Sequence, residues 1–143
     1  MVVQLRWMML GDEQLVIAAS SLFDNLAETE WTRDFLASPT HHLCIAYEED
    51  LPVGFVSGVE TTHPDKGTEM FLYELAVDER HQRRGIGRAL VDALADVARS
   101  NGCYGMFVLT DVDNAAAIAT YTSAGANDEG TNVMLGWRFD RPS

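Results

Sequence analysis

The feature that most constrains the fold is an apolar strand followed at once by a glycine-containing loop and an amphipathic helix. Residues 70–77 form an apolar run of strand length, interrupted by one ionisable residue, Glu74. The loop 82–87 follows, and apolar residues then recur at helical spacing up to Ser100. Residues 103–109 supply a second apolar run. A strand–helix–strand unit connects parallel strands, so we predict an α/β fold in which 70–77 and 103–109 lie parallel.

The remaining elements are predicted from local patterns of apolar, turn-forming and helix-forming residues. We predict further strands at 2–9, 42–47, 53–61 and 132–139, and further helices at 12–23, 27–37 and 114–124. The acidic, proline-containing turn at 48–52 predicts an antiparallel hairpin of the strands on either side. A chain of 143 residues is the length of one ordinary domain, so we expect a single domain over 1–143.

Charge and cysteine content restrict the function and the compartment. The chain carries 22 acidic and 10 basic side chains, a formal net charge of −12, which disfavours nucleic acid and anionic membranes and favours a cationic small molecule. General solubility is an equally good explanation of this acidity. Two cysteines, no signal-peptide pattern and no apolar run of bilayer length predict a cytoplasmic, soluble protein with reduced thiols.

The loop after strand 70–77 has the composition of an anion-binding site. Its residues are, in order, Gln82, Arg83, Arg84, Gly85, Ile86, Gly87 and Arg88. Glycines let backbone N–H groups approach a ligand, and a helix N-terminus carries roughly half a positive charge, so the loop suits a phosphate or pyrophosphate. The loop lacks the P-loop pattern, and Leu90 stands where a dinucleotide fingerprint requires a third small residue. A simple tight turn between strand and helix is the alternative.

The order of three motifs resembles the GNAT superfamily of N-acetyltransferases. Gln82 to Gly87 match Q/R-x-x-G-x-G/A after a strand that ends at Val77, and a second motif follows. Its residues are Asn114, Ala117, Tyr121 and Gly125. The resemblance covers nearly the whole chain and is most specific over 70–126. Ala126 departs from the pattern, because an aromatic residue is often found there.

The resemblance implies a central mixed β-sheet flanked by helices, with acetyl-CoA bound between splayed parallel strands 70–77 and 103–109. The loop residues 82–88 would hold the pyrophosphate, and the backbone of Leu75, Ala76 and Val77 the pantetheine arm. The second-motif residues Asn114, Ala117 and Tyr121 would complete the cofactor site. Asn114 is also explained as a helix N-cap alone.

Segment 73–77 and the chain length are most similar to the aminoglycoside 3-N-acetyltransferase branch, which has an acidic residue at Glu74 and confers antibiotic resistance. This implies a polycationic acceptor, with Glu74 as the proton acceptor and Tyr121 as the proton donor to the leaving thiolate. Strand alternation predicts that Glu74 shares a face with Leu72 and Ala76. Asp111 is a further carboxylate for the substrate. A structural salt bridge for Glu74 and a core position for Tyr121 are the alternatives.

Other functions remain open at this stage. The acceptor could be a polyamine, another small amine or a protein amino group, and the chain could be a non-catalytic CoA-binding module. The His and Cys residues lack zinc-ligand spacing, and Asp111-x-Asp113 lacks the later ligands of a calcium loop, so we expect no metal. The expected partners are acetyl-CoA and a cationic amine, with a homodimer as one candidate assembly.

Overall fold

A mixed five-stranded sheet organises the chain in the computed structural model, which describes residues 2–140. The strands are β1 (Val3–Trp7), β2 (His41–Glu48), β3 (Leu51–His63), β4 (Gly67–Val77) and β5 (Met106–Phe107). The helices are α1 (Glu13–Ala18), α2 (Thr29–Ala37), α3 (Ile86–Ser100) and α4 (Ala115–Ser123). Short 3₁₀ turns occupy Ser20–Leu22 and Glu79–His81. Within residues 2–140, no helix is both long enough and apolar enough to cross a membrane.

The strands follow one another across the sheet in the order β1-β2-β3-β4-β5. The first three pairings are antiparallel, and β4 with β5 is parallel. The predicted hairpin of β2 and β3 and the parallel arrangement across α3 are therefore confirmed. The mixed sheet flanked by helices is the architecture that the sequence motifs implied.

Each face of the sheet has its own apolar core. On one face α3 buries Leu90 and Leu94 completely, against a cluster that includes Val56, Met70 and Leu72. On the other face α1 and the segment after it cover a second cluster. Its fully or nearly fully buried members are Met8, Val16, Ala19, Leu43, Ile45 and Phe55. The α3 face supports the loop and strand that the sequence motifs single out.

Glycines on β3 allow α3 to pack closely on the sheet. A Cβ atom built on Gly58 would lie 2.8 Å from Cδ1 of Leu94 and 3.0 Å from Sδ of Met70. A Cβ atom on Gly54 would lie 3.0 Å from the carbonyl oxygen of Ala76. A methyl group at Gly58 would overlap Leu94 of α3, and one at Gly54 would press on the Ala76 carbonyl and on Cδ1 of Leu90 in α3, 3.3 Å away. A side chain at either position would therefore shift its neighbours.

Three predicted elements differ from the structure. The strand predicted at 103–109 is reduced to Met106–Phe107, because β4 and β5 diverge after that pair. The helix predicted at 12–23 ends at Ala18, where the chain turns and the Ser20 hydroxyl accepts a hydrogen bond from the backbone N–H of Ala27 at 3.0 Å. Residues 132–139 form no strand, and none of the five strands within residues 2–140 pairs with them, so the hydrogen bonds that define a strand are not made.

The close packing at Gly58 predicts the effect of adding one methyl group. Gly58→Ala should lower the free energy of unfolding by about 1–3 kcal/mol, because α3 or Leu94 must move to relieve the overlap. Gly105→Ala is the matched control, since its Cβ would have its nearest neighbour, Oε2 of Glu69, at 3.9 Å. That variant should stay within ~0.5 kcal/mol of the parent. Urea denaturation measures both, and equal losses would contradict the proposed packing constraint.

Candidate active site

The edge of β4 that faces β5 is open over most of its length. Hydrogen bonds join Tyr104 N–H to the Thr68 carbonyl at 2.9 Å and Met70 N–H to the Gly105 carbonyl at 3.0 Å. The last residue pair of the two strands is Phe71 with Phe107. Beyond it, β4 continues to Val77 with no strand partner on this side in the described part of the chain. Its backbone N–H and C=O groups can therefore pair with an extended ligand.

A β-bulge in β4 determines where Glu74 points. Ser57 of β3 pairs with Glu74 and Gly58 pairs with Leu72, so Tyr73 is an extra residue in β4. Leu72 and Leu75 consequently both pack into the α3 core cluster. Ala76 packs into the cluster on the other face, and strand alternation places Glu74 with it. The predicted shared face is thus right for Ala76 and wrong for Leu72, because simple alternation does not allow for the extra residue.

Glu74 lies among oxygen-bearing side chains on the face opposite α3. Its pKa is raised, first by partial desolvation and then by the negative charge of Asp24 in the segment between α1 and α2. Ser57 is its cross-strand neighbour, and the buried Ser57 hydroxyl has no hydrogen-bond partner within residues 2–140. The site therefore offers two carboxylates and an unused hydroxyl. Asp24 and Ser57 were missed by the sequence analysis, since neither is adjacent to a motif.

The loop between β4 and α3 adopts the conformation of an anion site. Arg83 and Gly85 have positive φ angles of 65° and 79°, and Gly85 is the N-cap residue of α3. Alternation of right- and left-handed residues turns successive N–H groups towards one side, and the helix N-terminus adds positive charge there. A Cβ built on Gly85 meets no atom within 4 Å, so the space above the loop is free. The Gln82 amide donates to the Val77 carbonyl at 3.2 Å and ties the loop to β4.

Gly87 brings the three motifs together. A Cβ built there would lie 3.3 Å from Cγ2 of Thr120 on α4 and 3.7 Å from Cγ2 of Val77 on β4. The first turn of α3 therefore touches both neighbouring motifs. Tyr121, beside Thr120 on α4, is partly buried against the α3 core cluster, and this desolvation raises the pKa of its phenol. Tyr121 consequently keeps its proton at neutral pH.

The second-motif residues at the start of α4 make hydrogen bonds within their own helix. Asn114 is the N-cap of α4, and its Oδ1 accepts a hydrogen bond from Ala117 N–H at 3.1 Å. This is the capping geometry that the sequence allowed. Asp111 is exposed on the turn before the helix. Their roles towards a cofactor or substrate remain predictions.

A partly buried cluster of charged side chains lies beside the loop: Glu48 and His81 are largely buried, whereas Asp78 and Arg84 are 40% and 47% exposed. His81 is only 9% exposed, and its Nε2 lies 3.1 Å from Oε2 of Glu48 while its Nδ1 lies 2.7 Å from Oδ2 of Asp78. Arg84 of the loop reaches the same Glu48 oxygen at 3.3 Å. The sequence analysis missed this cluster, because Glu48 is distant in sequence and was assigned to a turn. Among residues 2–140, no group of three or more His, Cys, Asp or Glu side chains could hold a metal ion.

Comparison with characterised proteins identifies relatives of known activity. The chain is 34% identical over 94 residues to the L-2,4-diaminobutyric acid acetyltransferase of Streptomyces coelicolor, covering 65% of this chain and 52% of that protein. It is 42% identical over 60 residues to the [ribosomal protein bS18]-alanine N-acetyltransferase of Escherichia coli K12, covering 42% of this chain and 40% of that protein. The matched regions thus span about half the length of these curated relatives.

Solved structures share the whole fold. An aminoglycoside acetyltransferase from an uncultured soil metagenomic sample, in complex with sisomicin, superposes with a TM-score of 0.88 at 20% identity, covering 96% of this chain and 97% of that one. The ribosomal-protein-alanine N-acetyltransferase of Brucella melitensis superposes with a TM-score of 0.74 at 18% identity, covering 95% and 100%. At these identities the likeness concerns the fold.

The family model of the acetyltransferase (GNAT) family matches residues 12–126. The match contains β4, the loop 82–85, α3 and α4, which are the elements that form the candidate site. The chain therefore belongs to the GNAT family of acetyltransferases.

Proposed function

We propose that this chain transfers the acetyl group of acetyl-CoA to a primary amine of a small polycationic acceptor, an aminoglycoside being the first candidate. The observation that carries the acceptor class is the pair of carboxylates, Glu74 and Asp24, close enough for the charge of one to raise the pKa of the other. Two negative charges beside the open edge of β4 attract a molecule with several ammonium groups. The overall charge of −12 acts in the same direction over a longer range.

The residues present fit acetyl-CoA. The free space above Gly85 and the N–H groups at the start of α3 suit the pyrophosphate, and Arg83 adds charge. The guanidinium groups of Arg84 and Arg88 lie 3.3 Å from Glu48 and 3.8 Å from Asp92, so they must leave these carboxylates to contact a ligand. The edge of Leu75 to Val77 that has no strand partner, opposite β3, suits the amide groups of a pantetheine arm. Acetyl-CoA supplies the activated acetyl thioester, and the protein needs no nucleophile of its own.

Two side chains would handle the protons. An alkylamine is mostly protonated at neutral pH and must lose a proton before it attacks a thioester, so a nearby carboxylate acts as general base. Because the pKa of Glu74 is raised towards neutral pH, its carboxylate binds a proton more readily and is a better general base. The Tyr121 phenol, neutral because burial raises its pKa, holds a proton for the departing sulfur. The buried Ser57 hydroxyl, which has no hydrogen-bond partner among residues 2–140, is the polar group across the strand pair from Glu74.

The relatives support other acceptors as well. The names of two relatives specify diaminobutyric acid and an alanine of ribosomal protein bS18. Diaminobutyric acid is a small diamine, so it belongs to the acceptor class proposed here, whereas a protein acceptor requires a groove for a peptide. A CoA-binding module without turnover would have no use for the raised pKa of Glu74.

An acceptor panel distinguishes these functions. We expect CoA release from acetyl-CoA with kcat/KM highest for aminoglycosides, lower for linear diamines and polyamines, and lowest for an alanine-terminated peptide. For an aminoglycoside, kcat/KM should fall with added salt more steeply than for a monoamine, since screening acts on each charge of the acceptor. Preference for the peptide would overturn the acceptor class, and CoA binding without turnover of any amine would favour the module.

The assigned role of Glu74 predicts a specific pH profile. Glu74→Gln should lower kcat roughly 10²- to 10⁴-fold at neutral pH, because the general base is lost, and should recover partly at alkaline pH, where the amine deprotonates unaided. In the parent enzyme, kcat should fall as acid protonates Glu74, and this fall should begin at a higher pH than for an ordinary glutamate because the pKa is raised. Steady-state rates across pH measure both effects.

Two further variants serve as comparisons. Glu69→Gln removes another carboxylate from β4 and should leave the pH profile unchanged. Tyr121→Phe removes only the donor to a weakly basic thiolate, so we expect a loss of about ten-fold without alkaline rescue. Near-parent activity of a folded Glu74→Gln at neutral pH would assign proton acceptance to another group.

A further inference from the structure

The β-bulge in β4 places two consecutive side chains on the same face of the sheet. Met70 and Leu72 pack into the α3 core cluster, so strand alternation turns Phe71 to the opposite face. Tyr73 is the extra residue of the bulge, and its ring meets the ring of Phe71 edge to face, with the centroids 5.6 Å apart. Tyr73 therefore lies on the same face as Phe71, which is also the face of Glu74.

Three aromatic rings form a row on this face, and only the last of them is accessible. Phe71 stacks on Phe107 of β5, with the centroids 4.7 Å apart and the ring planes within 6° of parallel. Both of these rings are partly buried, whereas Tyr73 is 61% exposed. A tyrosine held by a neighbouring ring offers a large apolar surface to a ligand and loses little side-chain freedom when the ligand binds.

Tyr73 stands at the point where β4 and β5 separate. Phe71 and Phe107 are the last residues to pair, and Tyr73 is the next residue of β4 on that face. The loop 82–85 follows the other end of the open edge, so a cofactor whose pyrophosphate lies on that loop would extend back along β4 from Val77. Val77 and Tyr73 are four residues apart, which is about 13 Å of strand. The reactive end of the cofactor would thus point towards Tyr73 and Glu74.

We propose that Tyr73 is a specificity-determining residue of the acceptor site, and that its ring packs against a cyclic acceptor whose ammonium group reaches Glu74. This proposal rests on the proposed function and narrows its acceptor class to amines carried on a saturated or sugar ring. The C–H groups of such a ring cover the aromatic surface and remove it from water, and an adjacent ammonium group is attracted by the aromatic quadrupole. A linear polyamine has the ammonium groups but no ring to cover the tyrosine.

The charges beside Tyr73 fit this kind of acceptor. Glu74 is the next residue in the chain and lies on the same face, and the negative charge of Asp24 acts on its carboxyl group. An ammonium group bound to these carboxylates leaves the carbon atoms of its ring to be covered by an apolar surface, which Tyr73 supplies. Tyr121 packs against the α3 core cluster and thus belongs to the other side of β4. The acceptor contacts and the proposed proton donor therefore approach from opposite faces.

A matched pair of acceptors tests the role of the ring. Diaminocyclohexane and diaminohexane carry equal numbers of carbon atoms and ammonium groups, but only the first is cyclic. Tyr73→Ala should raise KM for the cyclic diamine about ten-fold, with kcat within about two-fold of the parent, and should change KM for the linear diamine less than about two-fold. Tyr73→Phe should restore the KM for the cyclic diamine, because the proposed contact uses the ring and not the hydroxyl.

Tyr104→Ala is the matched control. Tyr104 is exposed to a similar extent, 58%, but it lines a hollow with Ala95 and Ala98 of α3 on the other face of the sheet. Its removal should leave both KM values unchanged. Equal effects of the two alanine variants would mean that loss of any aromatic ring near this edge disturbs the site, which would overturn the specific role of Tyr73. Thermal unfolding of each variant confirms that the fold is intact.

A binding measurement gives a readout that does not depend on turnover. The full chain is mixed with diaminocyclohexane in the absence of acetyl-CoA and studied by NMR. We expect nuclear Overhauser contacts between the ring protons of the diamine and the aromatic protons of Tyr73, and we expect Tyr73→Ala to abolish them. Tyr73→Phe should keep contacts to the aromatic ring at this position.

The outcomes separate this proposal from the proposed function. Turnover without contact to Tyr73, or an equal rise in KM for both diamines in Tyr73→Ala, would overturn the role of Tyr73 and leave the proposed function intact. A large loss of kcat in Tyr73→Phe would assign the hydroxyl to the chemical step and would also overturn it. Contact with Tyr73 but no turnover of any amine would contradict the proposed function alone. A folded parent that neither binds nor acetylates the cyclic diamine would overturn both.

Discussion

The open edge of β4 is the constraint on which the rest of the site depends. This strand pairs with β3 along its whole length but with β5 only as far as Phe71, so the sheet supports β4 on one side and leaves its last residues free on the other. A strand in this state would be costly unless its free polar groups had water or a ligand to bind. The divergence from β5 therefore creates the site. The pairing with β3 along the whole strand keeps β4 in the sheet even though its other edge is free.

The bulge at Tyr73 allows β4 to bury apolar side chains under α3 and still to carry the carboxylate of Glu74 on the other face. With strict alternation, Glu74 would share the face of Leu72, which lies in the apolar core under α3. An ionised carboxylate there, without a partner, would cost several kcal/mol. The extra residue lets Leu72 and Leu75 both remain in the core while Glu74 turns to the open side near Asp24. Core packing and the placement of the candidate base are thus set by the same irregularity.

Sequence reasoning found what is encoded locally. The strand, loop and helix from Met70 to Ser100 were predictable because each has its own periodicity or turn residues, and the GNAT motifs lie within them. Asp24, Ser57 and Glu48 were not predictable, since each reaches the site only through the pairing of distant strands or through a long segment. The face of Glu74 was mispredicted because a bulge leaves no mark in the hydrophobic pattern of a single strand.

Residues 132–139 show a different limit of sequence reasoning. Their apolar and polar side chains alternate as in a strand, but no strand forms there. A strand is a property of a pair, and within the described chain no partner reaches these residues. The same requirement explains why β5 is short, since it pairs with β4 over only two residue pairs before the two strands diverge. That divergence leaves the last residues of β4 without a strand partner on one side. The loss of strand pairing at this edge of the sheet is therefore also what opens the candidate cofactor site.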